Sequence, residues 1–144
     1  FLNWLSEKTS QVFVVATANN FAVLPLELIR KGRFVEIFFV GLPVESERKQ
    51  IFEVLLSQLR PDSVQDYDLH SLSKKAIDFS GAEIFQAIIE GMYIAFNENR
   101  EFTTSDIMKG LNEIIPLAQL EKKKIQTLQQ WALSGRIRTA SSNF

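Results

Sequence analysis

The fold of this chain is decided by a stretch that begins Phe13-Val14-Val15-Ala16-Thr17-Ala18-Asn19-Asn20 and continues to Pro43. Its apolar runs at 12–16 and 35–40 are rich in β-branched residues, which is typical of strands buried on both faces of a parallel sheet. Between them, Pro25 suits the first turn of a helix over 24–30, and Gly32 suits the residue after its end. The order strand, helix, strand predicts a βαβ unit with a right-handed crossover.

After Pro43 the apolar residues recur at helical spacing. Four predicted helices begin at or just after Glu45, Asp68, Ser80 and Thr103, and they end near Arg60, Ala76, Asn97 and Pro116. Capping residues mark three of the starts, and proline marks the first and last ends. The fold class is therefore α/β followed by α. We also predict that residues 1–8 end a helix and that 121–133 form another.

The first and third of these four helices carry the clearest apolar faces. In the first, we predict that Arg48 lies on the polar face, opposite the apolar stripe that includes Ile51. In the third, we predict one buried stripe, formed by Ile84, Phe85, Ile88, Ile89, Met92, Ala95 and Phe96.

Composition and charge exclude several classes of site. The chain of 144 residues has no cysteine, which rules out disulfides and thiolate metal sites, and its net charge of -1 creates no general attraction for nucleic acid. From Leu117 onward, however, the sequence has five basic residues and only one acidic residue. The basic residues include the run Lys122-Lys123-Lys124. This run could contact nucleic acid or acidic lipid, but a solvated helix face is the simpler interpretation. We expect no membrane span, because the longest apolar run near the start is far too short.

The order of these motifs resembles the second region of homology of the AAA ATPases. Ala16–Asn20, Arg30–Phe34 and Glu36–Val40 most resemble a divergent group of the family that is encoded in plastid genomes and cyanobacteria. The resemblance covers nearly the whole chain but only the C-terminal part of the family's ATPase module. It implies the end of a P-loop NTPase-type parallel sheet core at 1–43, a four-helix lid at 44–116 and a basic C-terminal extension at 117–144. Because the chain begins with Phe1 rather than Met, we expect it to be a fragment.

Asn19 follows the first predicted strand, at the sheet edge where open parallel sheets bind ligands. Its amide can donate a hydrogen bond to a phosphate oxygen and accept one from water. Taken alone, an asparagine after a strand is usually a turn residue, and we interpret Asn20 in that way. The resemblance implies that Asn19 is the sensor-1 asparagine, which positions the attacking water.

Arg30 and Arg33 flank Lys31-Gly32 at the end of the predicted short helix. Arginine presents planar donors that match phosphate oxygens, although cations also stabilise the end of a helix without any ligand. The resemblance implies that both are arginine fingers acting in trans, on ATP bound by a neighbouring subunit. Val35 departs from the aspartate that is common in the family after the phenylalanine, which puts the usual salt link in doubt.

Ser80-Gly81-Ala82-Glu83 resembles the family's Gly-Ala-Asp signature. The resemblance implies that Gly81 and Ala82 approach ribose and adenine closely, as small residues allow, and that Ile51 packs on adenine. A capped helix and a core isoleucine are the alternative interpretations. His70 lacks partners at ligand spacing, so we interpret it as a surface or capping residue and predict no metal site.

Two motifs are absent from the sequence. No glycine precedes Lys-Ser or Lys-Thr, and no apolar strand ends in Asp-Glu, so both Walker motifs are missing. The ligands of Mg²⁺ and of the ATP phosphates must then come from residues outside this chain. We expect the chain alone to be inactive as an ATPase.

The resemblance implies a parent protein that couples ATP binding and hydrolysis to macromolecular remodelling. It implies a homo-oligomeric, hexameric ring acting on an unknown protein substrate, in a plastid or in the cytoplasm of a cyanobacterium. The alternative is a non-catalytic interaction module that docks on a full-length AAA partner. A relative of the clamp loaders or helicase loaders is disfavoured. Those proteins usually have an arginine in the third lid helix, and Gly81–Asn97 contains none.

Overall fold

Helices dominate the part of the chain that the structure, a computed structural model, describes: residues 2–7, 9–18, 34–132 and 138–140. The helices are α1 (Leu2–Glu7), α2 (Glu45–Leu59), α3 (Leu69–Lys75), α4 (Gly81–Asn97), α5 (Thr104–Glu113), α6 (Leu117–Leu120) and α7 (Lys122–Trp131). A 3-10 turn lies at Val64–Asp66. Two short strands, β1 (Phe38–Phe39) and β2 (Arg138–Thr139), form a two-stranded sheet. The chain divides into two compact units, Phe1–Phe38 and Phe39–Phe144.

The strands differ from the sequence prediction. Residues 12–16 belong to no strand, and Phe13 and Val15 are 94% and 77% exposed. Of the run 35–40, only Phe38–Phe39 is a strand, and its partner is β2 near the end of the chain; the Ala140 N–H donates to the Phe39 carbonyl at 2.8 Å. A strand buried on both faces needs neighbouring strands and a covering layer on each side, and the described residues supply neither. The predicted helix over 24–30 lies outside the described residues.

The predicted helices after Pro43 are confirmed as helices. Each of the three predicted caps is in place: the Asp68 carboxylate accepts from the Ser71 N–H at 3.0 Å, and capping boxes open α4 and α5. The predicted helix at 121–133 is confirmed as α7, and a separate single turn that the sequence did not predict, α6, precedes it. None of the described helices is both long enough and apolar enough to cross a membrane.

The core lies where α2, α3, α4 and α5 meet. Its largest apolar side chains have no exposed surface at all: Phe52 and Leu56 of α2, Leu72 of α3, Ile84 and Ile88 of α4, and Ile107 of α5. Burying each such side chain contributes about 1.5–3 kcal/mol relative to leaving it in water. These contacts fix α2 and α4 relative to each other, which matters for the site described below.

Glycines allow α4 and α5 to pack most closely of all. A Cβ added to Gly91 of α4 would lie 2.8 Å from the Ile107 nitrogen of α5, and one added to Gly110 would overlap the Ala87 carbonyl oxygen. No side chain could be accommodated at either position without separating the helices.

The third predicted helix does not bury a single stripe. Phe85 and Phe96 of α4 are 42% and 77% exposed, whereas Ile84, Ile88 and Ala95 are buried. The sequence shows a continuous apolar arc, but α2 and α5 cover only the part of it around Ile84 and Ile88. The remaining apolar residues form a second, outward face.

Arg48 is also not where the sequence placed it. Its side chain is buried, with Nε donating to the Ser73 carbonyl at 2.9 Å and Nη1 donating to the Pro43 carbonyl at 2.8 Å. Ser73 lies in the last turn of α3, where carbonyl oxygens lack helical partners. Arg48 therefore ties α2, the end of α3 and the segment before α2 together.

Candidate functional site

Three of the predicted site residues, Asn19, Arg30 and Arg33, lie outside the described residues, as does Asn20. Their roles as sensor 1 and as arginine fingers therefore stay predictions. The three residues predicted to contact the nucleotide base and ribose, Ile51, Gly81 and Ala82, are all described.

The structure brings Ile51 and Gly81 together. Gly81 is the first residue of α4, and a Cβ built on it would lie 3.9 Å from Cδ1 of Ile51 in α2. Both residues are half-buried, and the neighbouring Ala82 is exposed. The start of α4 thus presents a small apolar surface in which an aliphatic side chain lies beside backbone that carries no large side chain.

The backbone of this turn is fixed by a reciprocal capping box. Glu83 Oε2 accepts from the Ser80 N–H at 2.7 Å and from Ser80 Oγ at 2.6 Å, and the Glu83 N–H donates back to Ser80 Oγ at 3.4 Å. Because Gly81 and Ala82 lie between these two residues, their conformation is set by the same bonds. The sequence predicted this motif, and the structure confirms it.

The second oxygen of Glu83 has a partner that the sequence did not reveal. Oε1 accepts from the Leu117 N–H at 2.7 Å, across 34 residues of chain. Leu117 is the first residue of α6 and follows Pro116, which is buried and has no N–H of its own. Glu83 therefore joins the start of α4 to the start of α6.

These hydrogen bonds also decide the charge of Glu83. Burial alone would raise the pKa of its carboxyl, but the Leu117 N–H and the Ser80 donors outweigh burial, so the pKa lies below its usual value. Glu83 is consequently ionised at neutral pH, with both oxygens occupied. It is suited to holding the backbone in place rather than to accepting a proton from a substrate.

The described residues can also be compared with the requirements of a metal site. No group of three or more His, Cys, Asp or Glu side chains among them is arranged to hold an ion. Nδ1 of His70 lies 3.9 Å from Oε1 of Glu45, and both side chains are largely exposed. This agrees with the prediction of a surface histidine.

A second polar cluster, which the sequence did not predict, surrounds Asp106. Its carboxylate is buried and receives two hydrogen bonds from Arg100, of 2.6 and 2.8 Å, and two from Thr103, of 3.0 and 2.8 Å. Arg100 holds the pKa of Asp106 well below its usual range, against the opposing effect of burial. The cluster fixes the loop between α4 and α5.

Beside this loop lies an open groove of about 320 Å³, lined in part by Tyr93 and Phe96 of α4 together with Arg60 and Phe102. Arg60 stacks over the Phe102 ring at 5.2 Å and pairs with Glu101 at 3.0 Å. None of the predicted nucleotide contacts lines the groove. The described charges at its rim are engaged in ion pairs: Arg60 with Glu101, and Arg100 with Glu98 and Asp106.

The AAA domain-containing protein ycf46 of Trieres chinensis is 58% identical to this chain over 142 residues, which are 99% of the chain and 29% of that protein. The ycf46 protein of Guillardia theta is 57% identical over 141 residues, 98% of the chain and 28% of that protein. This chain belongs to the AAA family. No family model matches this AAA chain.

More distant AAA relatives carry a more specific name. The proteasome-activating nucleotidase of Sulfurisphaera tokodaii is 33% identical to the chain over 104 residues, which are 72% of the chain and 26% of that protein. The AAA chain thus spans less than a third of the length of the curated relatives named here.

Proposed function

We propose that this chain is the C-terminal part of an AAA ATPase in which ATP binding and hydrolysis are coupled to remodelling of a macromolecule. The observation that carries the proposal is that Ile51 lies beside Gly81 at the capped start of α4. Two residues that the resemblance assigned to the nucleotide, 30 positions apart in sequence, lie side by side. The relation to AAA proteins over almost the whole chain supports it.

In this proposal Ile51, Gly81 and Ala82 receive the adenosine part of ATP. The half-buried side chain of Ile51 can contact the flat adenine base with its exposed part, so the core need not rearrange. The backbone of Gly81 and Ala82 can approach the ribose because neither residue has a large side chain. The ionised Glu83 takes no part in contacting ATP, since its oxygens are already occupied.

The exposed apolar runs of the first residues support the assignment of 1–43 to the end of a larger α/β core. Phe13, Val15 and Val35 are 94%, 77% and 97% exposed, so these apolar side chains are not covered within this chain. Strands supplied by the rest of a longer protein would cover them. Residues 44–116 are then the lid, and 117–144 a basic extension.

The remaining parts of the proposed reaction rest on the resemblance. Asn19 would position the attacking water, Arg30 and Arg33 would reach the ATP of a neighbouring subunit in a hexameric ring, and Mg²⁺ would be held by residues outside this chain. A protein substrate is in keeping with the name of the archaeal relatives, proteasome-activating nucleotidase. A plastid location is in keeping with the ycf46 relatives.

A non-catalytic module docking on a full-length AAA partner is the second candidate. The same exposed apolar runs favour it, because they offer a surface that another protein could cover. The two candidates differ in whether the arginines contribute to turnover.

The adenosine site can be tested on the chain itself by NMR titration with adenosine and with ATP. We expect weak, saturable shifts at Gly81, Ala82 and the Ile51 methyl groups, of similar strength for both compounds because the phosphate-binding P-loop is absent. Ile51→Ala should abolish the shifts. Leu55→Ala, a similar truncation one turn along α2, is the control and should retain them. Micromolar ATP binding, or shifts confined to other residues, would overturn the assignment.

The arginine fingers are tested in the longer protein. Arg30→Ala and Arg33→Ala should lower kcat and kcat/KM together while ATP binding is nearly unchanged, since an arginine finger typically contributes about 10³–10⁵ in rate. Lys31→Ala removes a neighbouring charge and is the matched control. Mixing a finger variant with a variant in the P-loop lysine should restore part of the activity. Normal turnover in both arginine variants and in the double variant would leave only the docking module.

A further inference from the structure

The carboxylate of Glu83 has two sets of partners that belong to different parts of the fold. Oε2 accepts from the N–H and hydroxyl of Ser80, and Oε1 accepts from the N–H of Leu117. The first set fixes the turn that contains Gly81 and Ala82. The second set is the N–H of Leu117, the first residue of the segment Leu117 to Trp131. This segment contains α6 and α7, and we term it the C-terminal arm.

The residues around this bond differ in burial. Ile115 and Leu117 are 65% and 58% exposed, so their side chains anchor it poorly. Pro116 is buried but cannot donate a hydrogen bond. The residues within α6 and α7 are all exposed or half-buried. The Leu117 N–H is therefore the first polar attachment of the arm to α4.

We propose that Glu83 is a positioning residue that couples nucleotide binding at Gly81 and Ala82 to docking of the C-terminal arm. This inference rests on the proposed function. A nucleotide bound at the Ser80–Glu83 turn would further stabilise its capped conformation and with it the position of the carboxylate, and a docked arm holds the same carboxylate from its other oxygen. Coupling of this kind is reciprocal: the arm strengthens adenosine binding by the factor by which adenosine strengthens docking of the arm.

The length of the side chain is what permits the link. An aspartate at position 83 could still accept from Ser80 in a capping box, but its carboxylate would be one methylene nearer the backbone of α4 and farther from Leu117. Glu83→Asp should therefore retain the cap and lose the attachment of the arm.

Leu117→Pro removes the donor with little other change. Proline is well tolerated at the first position of a helix, and Pro116 already has the extended conformation, with φ -57° and ψ 138°, that a following proline requires. Leu117→Ala retains the N–H and loses only an exposed side chain, so it is the matched control.

The first measurement is amide hydrogen exchange on the full chain without ligand. In Leu117→Pro and Glu83→Asp, the amides of α7 should exchange about tenfold faster than in wild type, as expected when a hydrogen bond to a charged group is lost. The amides of α4 and α5 should be unaffected, which shows that the core is intact. If the amides of α7 exchange no faster in these two variants than in Leu117→Ala, the proposed attachment of the arm through Glu83 is wrong.

The second measurement is adenosine binding. We expect Leu117→Pro and Glu83→Asp each to weaken it about fivefold or more, and the double variant to be no weaker than either one, because both remove the same bond. Adenosine should slow exchange of α7 in wild type and in Leu117→Ala, but not in Leu117→Pro. Equal adenosine affinity in wild type and Leu117→Pro would overturn the coupling alone. Failure of wild type to bind adenosine would overturn the proposed function and this coupling with it.

Discussion

Gly110 of α5 lies so close to Ala87 of α4 that a Cβ on the glycine would overlap the alanine carbonyl oxygen. The atoms concerned are backbone atoms, which cannot turn aside as the end of a long side chain can. At this point the two helices can lie so close together only because residue 110 has a hydrogen atom in place of a side chain. The loop that joins them is held by the buried carboxylate of Asp106, so neither helix can easily move away.

Gly110→Ala should lower the free energy of unfolding by about 1–3 kcal/mol, the usual cost of adding a methyl group to a closely packed core. The gain in helix propensity from alanine, about 1 kcal/mol, is too small to cancel a backbone clash. Urea denaturation measures the difference. Gly81→Ala is the control, because a Cβ there meets nothing closer than 3.9 Å. Equal stability of the two variants would show that α4 and α5 are less closely packed.

The neighbouring residues Ile84 and Phe85 should respond very differently to truncation. Ile84 has no exposed surface, whereas Phe85 is 42% exposed. Ile84→Ala should cost about 2–5 kcal/mol, as is typical of a buried aliphatic side chain. Phe85→Ala should cost less, although phenylalanine is the larger residue. Thermal melts of both variants decide this, and a greater loss for Phe85→Ala would mean that the outer face of α4 is covered in solution.

Arg48→Met should destabilise the helical part by about 1–3 kcal/mol, because it leaves the carbonyl oxygens of Ser73 and Pro43 without their donor. The methionine retains much of the aliphatic packing, so the loss reports the hydrogen bonds. Lys49→Met removes the same charge from an exposed position on the same helix and should have little effect. Similar melting temperatures for the two variants would contradict a bridging role for Arg48.

The stability of the chain should fall in acid partly because of Asp106. Arg100 keeps the pKa of this carboxyl below its unfolded value, which is about 3.9 for aspartate. The resulting stabilisation is fully present above that value and is lost as the pH falls towards the folded pKa. Asp106→Asn should destabilise the chain at pH 7 and should weaken the dependence of melting temperature on pH below about 4.

The exposed Asp62 provides the comparison for this effect. Asp62→Asn removes one carboxylate charge at an exposed position, so it is the matched control for the loss of charge. Melting curves recorded from pH 7 to pH 2 give both comparisons. An unchanged acid dependence in Asp106→Asn would assign the loss of stability to other carboxyl groups.

The helices could be predicted from sequence because their signals are local. Asp68, Ser80 and Thr103 each cap a helix through residues three positions away, and each cap is visible in the sequence alone. Strands are different, since a run such as 12–16 forms one only beside other strands. The pairing of Phe38–Phe39 with Arg138–Thr139 spans about a hundred residues and leaves no pattern in either segment.

The candidate site was predicted to a similar extent. The resemblance assigned Ile51, Gly81 and Ala82 to contacts with the nucleotide, and these assignments stay predictions, although the structure brings Ile51 beside Gly81. The sequence could not reveal the hydrogen bond between Glu83 and Leu117. Its donor is a backbone N–H, which every residue except proline has, so the residue type at position 117 gives no sign of it. Arg48 was assigned to the polar face for a similar reason: its partners are carbonyl oxygens, which every residue has.

The close packing of α4 against α5 also bears on the order in which the chain folds. Only six residues separate the two helices, and the pair Gly91 and Ile107 lies 16 residues apart. Contacts between residues near in sequence form rapidly, since little chain entropy is lost in closing the loop. We expect this helical hairpin to form in the folding transition state, before the more distant attachment of Leu117 to Glu83. Stopped-flow kinetics would then show Gly110→Ala slowing folding, and Leu117→Pro mainly accelerating unfolding.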